Sequence, residues 1–296
     1  MLTDRQISLC RPGLDRLARP ILPLARLAGM LYLTGPFEDL ASLLAELTEP
    51  VETGGVRYAE PQALLRPYLA DILPFERLKT PQEPARIIVG EDLQPVDQLT
   101  ALDGWVTQNI LTRELGEITS LLCGPCGCTL CCTGPSVEQQ QEFFEIPLAA
   151  GETALFALPG FDDALTRTAA PADDPPLVVN GVPFYANPAA LYGWRTGWSM
   201  ILPRRSRCPN LDPGSCGCRV YPDRPDVCRR PQIFPYMLER EPDLDGEYEG
   251  RLLPAFTVRR KLLAVWDCPY VKAFQEEIGR YAQLCDLEPI FRQNKA

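Results

Sequence analysis

Ten of the chain's twelve cysteines fall into two dense clusters and one outlier, and none of its 296 residues is a histidine. The first cluster reads C-G-P-C-G-C-T-L-C-C and holds Cys123, Cys126, Cys128, Cys131 and Cys132. The second holds Cys208, Cys216, Cys218 and Cys228, and the outlier is Cys268 in W-D-C-P-Y. Gaps of two to four residues let thiolates converge on one ion, because so short a stretch closes a chelating turn. Without imidazole, a soft-metal site must be built from sulfur, which favours zinc or iron–sulfur over copper, nickel or non-haem iron. The lone Cys10 and Cys285 sit among apolar residues and read as buried side chains.

The elements that position these thiols belong to a chain large enough to bury an ordinary core. Charged residues make up 23% and apolar residues 46%, as in a globular protein. A net charge of −10 argues against non-specific nucleic-acid binding, since phosphate contacts need cationic surface. The 31 prolines, against about 15 at average usage, imply short elements and irregular backbone. Charges at Asp4, Arg5, Arg11, Asp15, Arg16 and Arg19 interrupt every apolar run near the N-terminus, so neither a secretory signal nor a membrane span is expected. The expected location is the cytoplasm, where clustered cysteines bind metal more often than they pair.

Residues 1–105 read as a mainly helical N-terminal region of unknown role, and residues 106–296 as a cysteine-cluster metal-binding domain with an insertion at 150–205. Leu14, Leu17, Ile21, Leu24, Leu27 and Leu31 recur at near-helical spacing, broken by Pro20 and Pro23. A cleaner amphipathic helix is expected over 37–47, and a short strand over 86–89. Ser136 with Gln139 forms a capping box that predicts a helix through Phe144, ended by Pro147. Asn180-Gly181 between apolar pairs predicts a hairpin with a type I′ turn. A last helix is expected over 270–284. The fold expected is α+β and irregular, a cysteine-rich metal-organised core surrounded by helices, with a short β-hairpin.

The clusters resemble those of the CxxCxxCC cysteine-cluster family (YkgJ-like), described as a zinc- or iron-chelating domain. The second cluster carries the resemblance: Cys208-Pro209-Asn210-Leu211, Cys218-Arg219-Val220-Tyr221, Arg224-Pro225 and Cys228-Arg229, with a late Cys268-Pro269. It covers about residues 120–148 and 205–270. The first cluster departs from the family spacing. Reading back from Cys132, Pro125 stands where a cysteine belongs; reading forward from Cys123, Thr129 does. Each cluster has one extra thiol and a C-G-C triplet, either a shared feature such as a larger metal centre or a harmless substitution in a small turn.

Ten thiols exceed the four that one iron–sulfur cluster needs, so two metal centres are the more economical reading. Cys131 and Cys132, as neighbours, are expected to diverge and serve different ions. Between Arg204 and Pro231 seven arginines (204, 205, 207, 219, 224, 229, 230) stand against three aspartates. Buried cations can offset an anionic thiolate centre, with Arg224 and Arg229 behind the ligands and Tyr221 packing or donating a hydrogen bond. The alternative is an exposed basic patch for an acidic partner or RNA. The function expected is a metal-binding protein with thiolate-ligated zinc or iron–sulfur centres, acting with a protein partner. Some relatives in the family are flagellin lysine N-methylases, so the resemblance also implies an S-adenosylmethionine-dependent protein lysine methyltransferase, although no recognisable fingerprint for that cofactor is present. Metal sequestration or sensing is a third class. No P-loop or dinucleotide fingerprint exists, and without histidine there is no Ser–His or Cys–His dyad.

Overall fold

The computed structural model describes residues 2–80, 85–229 and 232–292. The chain opens with α1 (Asp4–Leu9), α2 (Arg11–Leu17), α3 (Leu22–Thr34) and α4 (Leu40–Glu46). The apolar repeat is broken where Pro20 and Pro23 foretell it. Pro23 sits in the first turn of α3, where its missing N–H costs nothing. A hairpin of β1 (Val51–Thr53) and β2 (Val56–Tyr58) follows, then α5 (Pro61–Leu65), α6 (Leu69–Ile72) and the expected strand β3 (Ile87–Val89).

The dominant element is α7 (Gln98–Cys126), which the sequence reading did not foresee. Asp97 caps it, its carboxylate accepting the Thr100 N–H at 3.0 Å. Val106, Ile110, Leu111, Leu115, Ile118 and Leu122 form a buried stripe at helical spacing. Each such residue contributes about 1.5–3 kcal/mol by burial. The expected boundary near 105 falls inside this helix. One core cluster joins residues of the first sixty, such as Leu24 and Tyr58, to Ile233, Leu262 and Tyr281 near the other end. That core is mostly aliphatic and aromatic; Cys10, Cys126, Cys268 and Cys285 are buried in it, and Cys123 and Cys128 pack against it. Glu114 is buried within it, accepting the Ile21 N–H at 3.0 Å and the Tyr281 hydroxyl at 2.7 Å. Burial raises its pKa to about 7.

Against α7 lies a four-stranded sheet centred on β13 (Ala255–Val265). Its antiparallel neighbour is β10 (Ile233–Arg240), while β3 and β14 (Glu288–Arg292) pair parallel with opposite ends of it. The register of β10 slips between Tyr236 and Leu238. There Gln108 Oε1 of α7 accepts the Met237 and Leu238 N–H groups at 3.0 and 3.1 Å, so the irregularity leaves neither donor orphaned. Between β10 and β13 runs the small hairpin of β11 (Gly246–Tyr248) and β12 (Arg251–Leu253).

A second sheet, ordered β4–β9–β8–β5, is built from β4 (Phe143–Leu148), β5 (Gly160–Phe161), β8 (Ala190–Trp194) and β9 (Gly197–Pro203). The type I′ hairpin is present as β6 (Val178–Val179) and β7 (Val182–Pro183), with Asn180 and Gly181 at φ 54° and 79°. The presumed insertion thus carries its own sheet, with an apolar cluster on each face. Here the capping-box helix is corrected. Gln139 Oε1 does accept the Ser136 N–H at 2.8 Å, but only a turn forms. Residues 143–148 are strand instead, because their pairing with β9 supplies more than one local cap can. The remaining helices are α8 (Asp226–Arg229), ahead of β10, and α9 (Pro269–Ala273) and α10 (Gln275–Leu284), between β13 and β14. The expected last helix is broken at Phe274 (φ −119°, ψ 32°). The architecture is an irregular α+β fold of several small sheets, as expected.

Candidate metal centre

Three local devices gather the cysteines. Cys123 and Cys126 lie one turn apart on the last turn of α7, which ends where Gly127 turns left-handed at φ 63°. The side chain of Gln6 caps that end, donating to the Cys126 carbonyl at 2.9 Å. Next, the tail of the first cluster pairs with the head of the second. Thr133 and Arg207 form an antiparallel bridge, and the Cys208 N–H donates to the Cys132 carbonyl at 2.8 Å. Gly134 crosses the end of β9 so closely that a Cβ there would lie 1.9 Å from the Pro203 carbonyl oxygen, and only glycine fits. Finally, the 208–218 loop folds on itself through a Leu211–Cys218 bridge. The Asp212 carboxylate holds its tip, accepting the N–H groups of Gly214 and Ser215 at 3.0 and 2.8 Å.

All ten clustered cysteines except Cys126 and Cys268 line a single cavity of about 1130 Å³. All are free thiols. No set of three or more cysteine, aspartate or glutamate side chains among the described residues is disposed to hold a metal ion. The donor chemistry therefore fits a soft ion, while the sulfurs would have to turn toward a common point to ligate one. The expectation that Cys131 and Cys132 diverge is corrected: their sulfurs lie 3.9 Å apart. The pair sits in a turn closed by the Cys132 N–H on the Thr129 carbonyl, and a turn draws neighbouring side chains together where a strand would separate them.

The thiols titrate as an interacting set. Burial pushes Cys123 and Cys228 up to about 12, with nearby thiols adding and Arg224 opposing. Contact with Cys126 first, and Cys268 second, holds Cys128 down at about 3, and the Leu130 N–H donates to its sulfur at 3.3 Å. Cys126 and Cys268 are correspondingly raised. Within the adjacent pair, Cys131 is lowered by Cys132, and Cys132 is raised by Cys131. Most of these sulfurs are thus protonated at neutral pH, and a bound cation would have to displace their protons.

The arginines separate into different jobs. Arg224 is only 5% exposed; it donates to Ser120 Oγ of α7 at 2.6 Å and lies 4.0 Å over the ring of Tyr221. Its charge draws down Cys123, Cys131 and Cys228. Tyr221 donates its hydroxyl to the Ser120 carbonyl, and its ring fits the helix because residue 124 is glycine, where a Cβ would lie 2.9 Å from that oxygen. Arg229 braces this turn, donating to the carbonyls of Arg224 and Pro222 at 3.2 and 2.9 Å. Arg204 clamps the 139–142 segment through three carbonyls and an ion pair with Glu142 at 3.2 Å. Arg219 pairs with Asp212 at 3.4 Å. Arg205 and Arg207 are exposed, and Arg230 lies outside the described residues.

Sequence reasoning missed the opposite wall. Phe144, Ile146, Phe156 and Met200 come from the second sheet and its flank, and the first two carried no signal once their segment was read as helix. Gln232 also borders the cavity, and its buried Oε1 has no hydrogen-bond partner among the described residues. Cys10 and Cys285 are fully buried and away from the cavity, as their apolar settings implied. No helix among the described residues is long and apolar enough to cross a membrane. No family model, curated protein or solved structure matches the chain, so the resemblance to the cysteine-cluster family stands on the quoted motifs alone.

Proposed function

We propose that this protein is a thiolate metal-binding protein, and that the cysteine-lined cavity takes zinc or an iron–sulfur cluster, with enough sulfur for two centres. One observation carries the reading. Eight thiols from segments far apart in sequence line one cavity, with the buried cation Arg224 among them. Four thiolates around a divalent ion leave a net charge of about −2, and a buried guanidinium is the group that offsets and hydrogen-bonds such a centre. Zinc would supply a structural crosslink, and an iron–sulfur cluster would supply electron transfer. The deciding experiment is elemental analysis with a visible absorption spectrum on protein purified without oxygen. Iron with acid-labile sulfide and a brown colour selects the cluster; one or two zinc ions without colour select zinc. Protein that holds no metal after reconstitution with either ends the reading.

A second reading is favoured by the size of the cavity. At about 1130 Å³ it is slightly larger than most small-molecule pockets, which run roughly 300–1,000 Å³, and a metal centre fills only a small part of it. The apolar wall faces the thiols across the remaining space. An S-adenosylmethionine-dependent protein lysine methyltransferase would use that space for cofactor and side chain. Equilibrium binding of S-adenosylmethionine, followed by transfer of a labelled methyl group to a lysine-rich protein, tests it. Absence of binding at millimolar cofactor removes this reading and leaves the first intact.

A further inference from the structure

The thiols on the core side of the cavity and those on its loop side differ in what surrounds them. Cys126 and Cys268 belong to the main core, at 6% and 1% exposure, and Cys123 and Cys128 pack against that same core while also bordering the cavity. These four come from the end of α7, the turn after it, and the N-cap of α9, and α7 packs directly on α9. The contacts of Cys128 with Cys126 and Cys268 join three of them. Two hydroxyls stand nearby. Those of Thr119 and Tyr270, both fully buried, face each other without reaching hydrogen-bond geometry. Tyr270 is within electrostatic reach of Cys268, Cys123 and Cys131, the first of them most strongly. Unpaired buried hydroxyls cost stability unless they find an acceptor, and metal-bound sulfur is one.

The remaining thiols are held by loops. Cys131 and Cys132 lie 3.9 Å apart, and the backbone of Cys132 bonds to that of Cys208. Cys208 packs against the second sheet's apolar cluster and away from the main core. Cys218 is tied back by its bridge to Leu211, and Cys228 rides on α8. All five border the cavity. Cys216 is exposed at the rim of the same loop.

We propose that the clustered cysteines form two centres with different jobs. In the inner centre, Cys123, Cys126, Cys128 and Cys268 close around one ion or cluster and pin α7 to α9. In the outer centre, ligands drawn from Cys131, Cys132, Cys208, Cys218 and Cys228 hold a second, with a face open to the cavity. Cys216 serves neither. The proposal rests on the thiolate reading above. A four-sulfur set anchored on a core is suited to a structural site, while a set on loops beside a cavity can exchange ligands.

The test uses metal-loaded wild-type protein, exposed over time to a chelator and N-ethylmaleimide, with metal content and labelled peptides followed together. Cys216 labels at once. Half of the metal leaves first, as the outer five cysteines become labelled while Cys123, Cys126, Cys128 and Cys268 stay protected. The second half leaves only as those four label. A single phase in which both sets label together overturns the division, as does labelling of the inner set first. As a second measurement, the double variant Cys208→Ala, Cys228→Ala keeps half of the metal and a cooperative melt. Loss of all metal in that variant overturns the division. Wild-type protein that binds no metal overturns the thiolate reading itself, and its metal content at the start tells the two failures apart.

Discussion

Around Ile110, halfway along α7, side chains are buried on every turn and the helix lies on a paired sheet. A short distance along the same chain, from Gly127 to Gly134, no residue is buried, and none is between Asp212 and Asp223. There the backbone pairing shrinks to isolated bridges at Thr133–Arg207 and Leu211–Cys218. The first region is held by removal of apolar surface from water. The second has almost none to remove, so a few hydrogen bonds, an arginine clamp and thiol contacts hold it. Segments so poor in core are the ones proteins staple with disulfides or metal. The contrast teaches why five of the cysteines (128, 131, 132, 216 and 218) stand where the hydrophobic effect is weakest.

The contrast can be broken at either end. Replacing Ile110 with alanine should cost about 2–5 kcal/mol, since it opens a cavity in the close-packed core, and should do so with metal present or absent. Equal denaturant midpoints for variant and wild type would mean that the core is not what holds the α7 region. Metal affinity should be governed by protons in the other region. Cys123 and Cys228 are both pushed up to about 12 and must lose a proton to ligate. Each such proton displaced contributes a factor of ten per unit of pH, so affinity at each proposed centre should fall at least about tenfold per unit lowered, at least roughly 100-fold from pH 8 to pH 6. Competition with a chelator at the two pH values measures it, and a flat profile would exclude these thiols as ligands.

Gly134→Ala separates the regions further. Its Cβ would collide with backbone at Pro203, so the bridge between the clusters should shift at a cost of about 1–3 kcal/mol. Hydrogen exchange should speed up at 128–136 and 204–212 while the middle of α7 keeps its protection; uniform acceleration would mean that the two regions unfold as one. The smallest effect belongs to Glu114. Its folded pKa of about 7 lies above its ordinary value, so between the two the folded state holds more protons. The stability it contributes is complete below about pH 4.5 and is lost as pH rises through 7. Glu114→Gln should therefore leave stability at pH 5 little changed and raise it at pH 8, by on the order of 1–2 kcal/mol. Melting curves at both pH values check the sign.

Much of the candidate site was legible, because chelating spacing is local information. Cys123 to Cys132 and Cys208 to Cys228 announce themselves within their own turns, as do the Asn180-Gly181 hairpin and the break at Pro20 and Pro23. The helix after the first cluster was misread, since Ser136 and Gln139 do form half of a capping box. Whether residues 143–148 continue as helix or strand is decided by β9, more than fifty residues further on. The stripe of α7 was hidden by Gly104, Gly116, Gly124 and Pro125, each unfavourable to helix alone and each tolerated in a helix with one face packed in a core.

By itself, then, the sequence determined which atoms are available: sulfur without imidazole, in groups close enough to chelate, beside an excess of arginine. Side-chain chemistry and short spacing are properties of the chain, whatever its fold. Only the tertiary structure decided that Cys268 lies under α7, that Cys132 bonds to Cys208, and that Arg224 alone among the described arginines of that run is buried. Those juxtapositions depend on pairing between segments distant in sequence, where apolar burial and backbone hydrogen bonds over the whole chain outweigh any local preference.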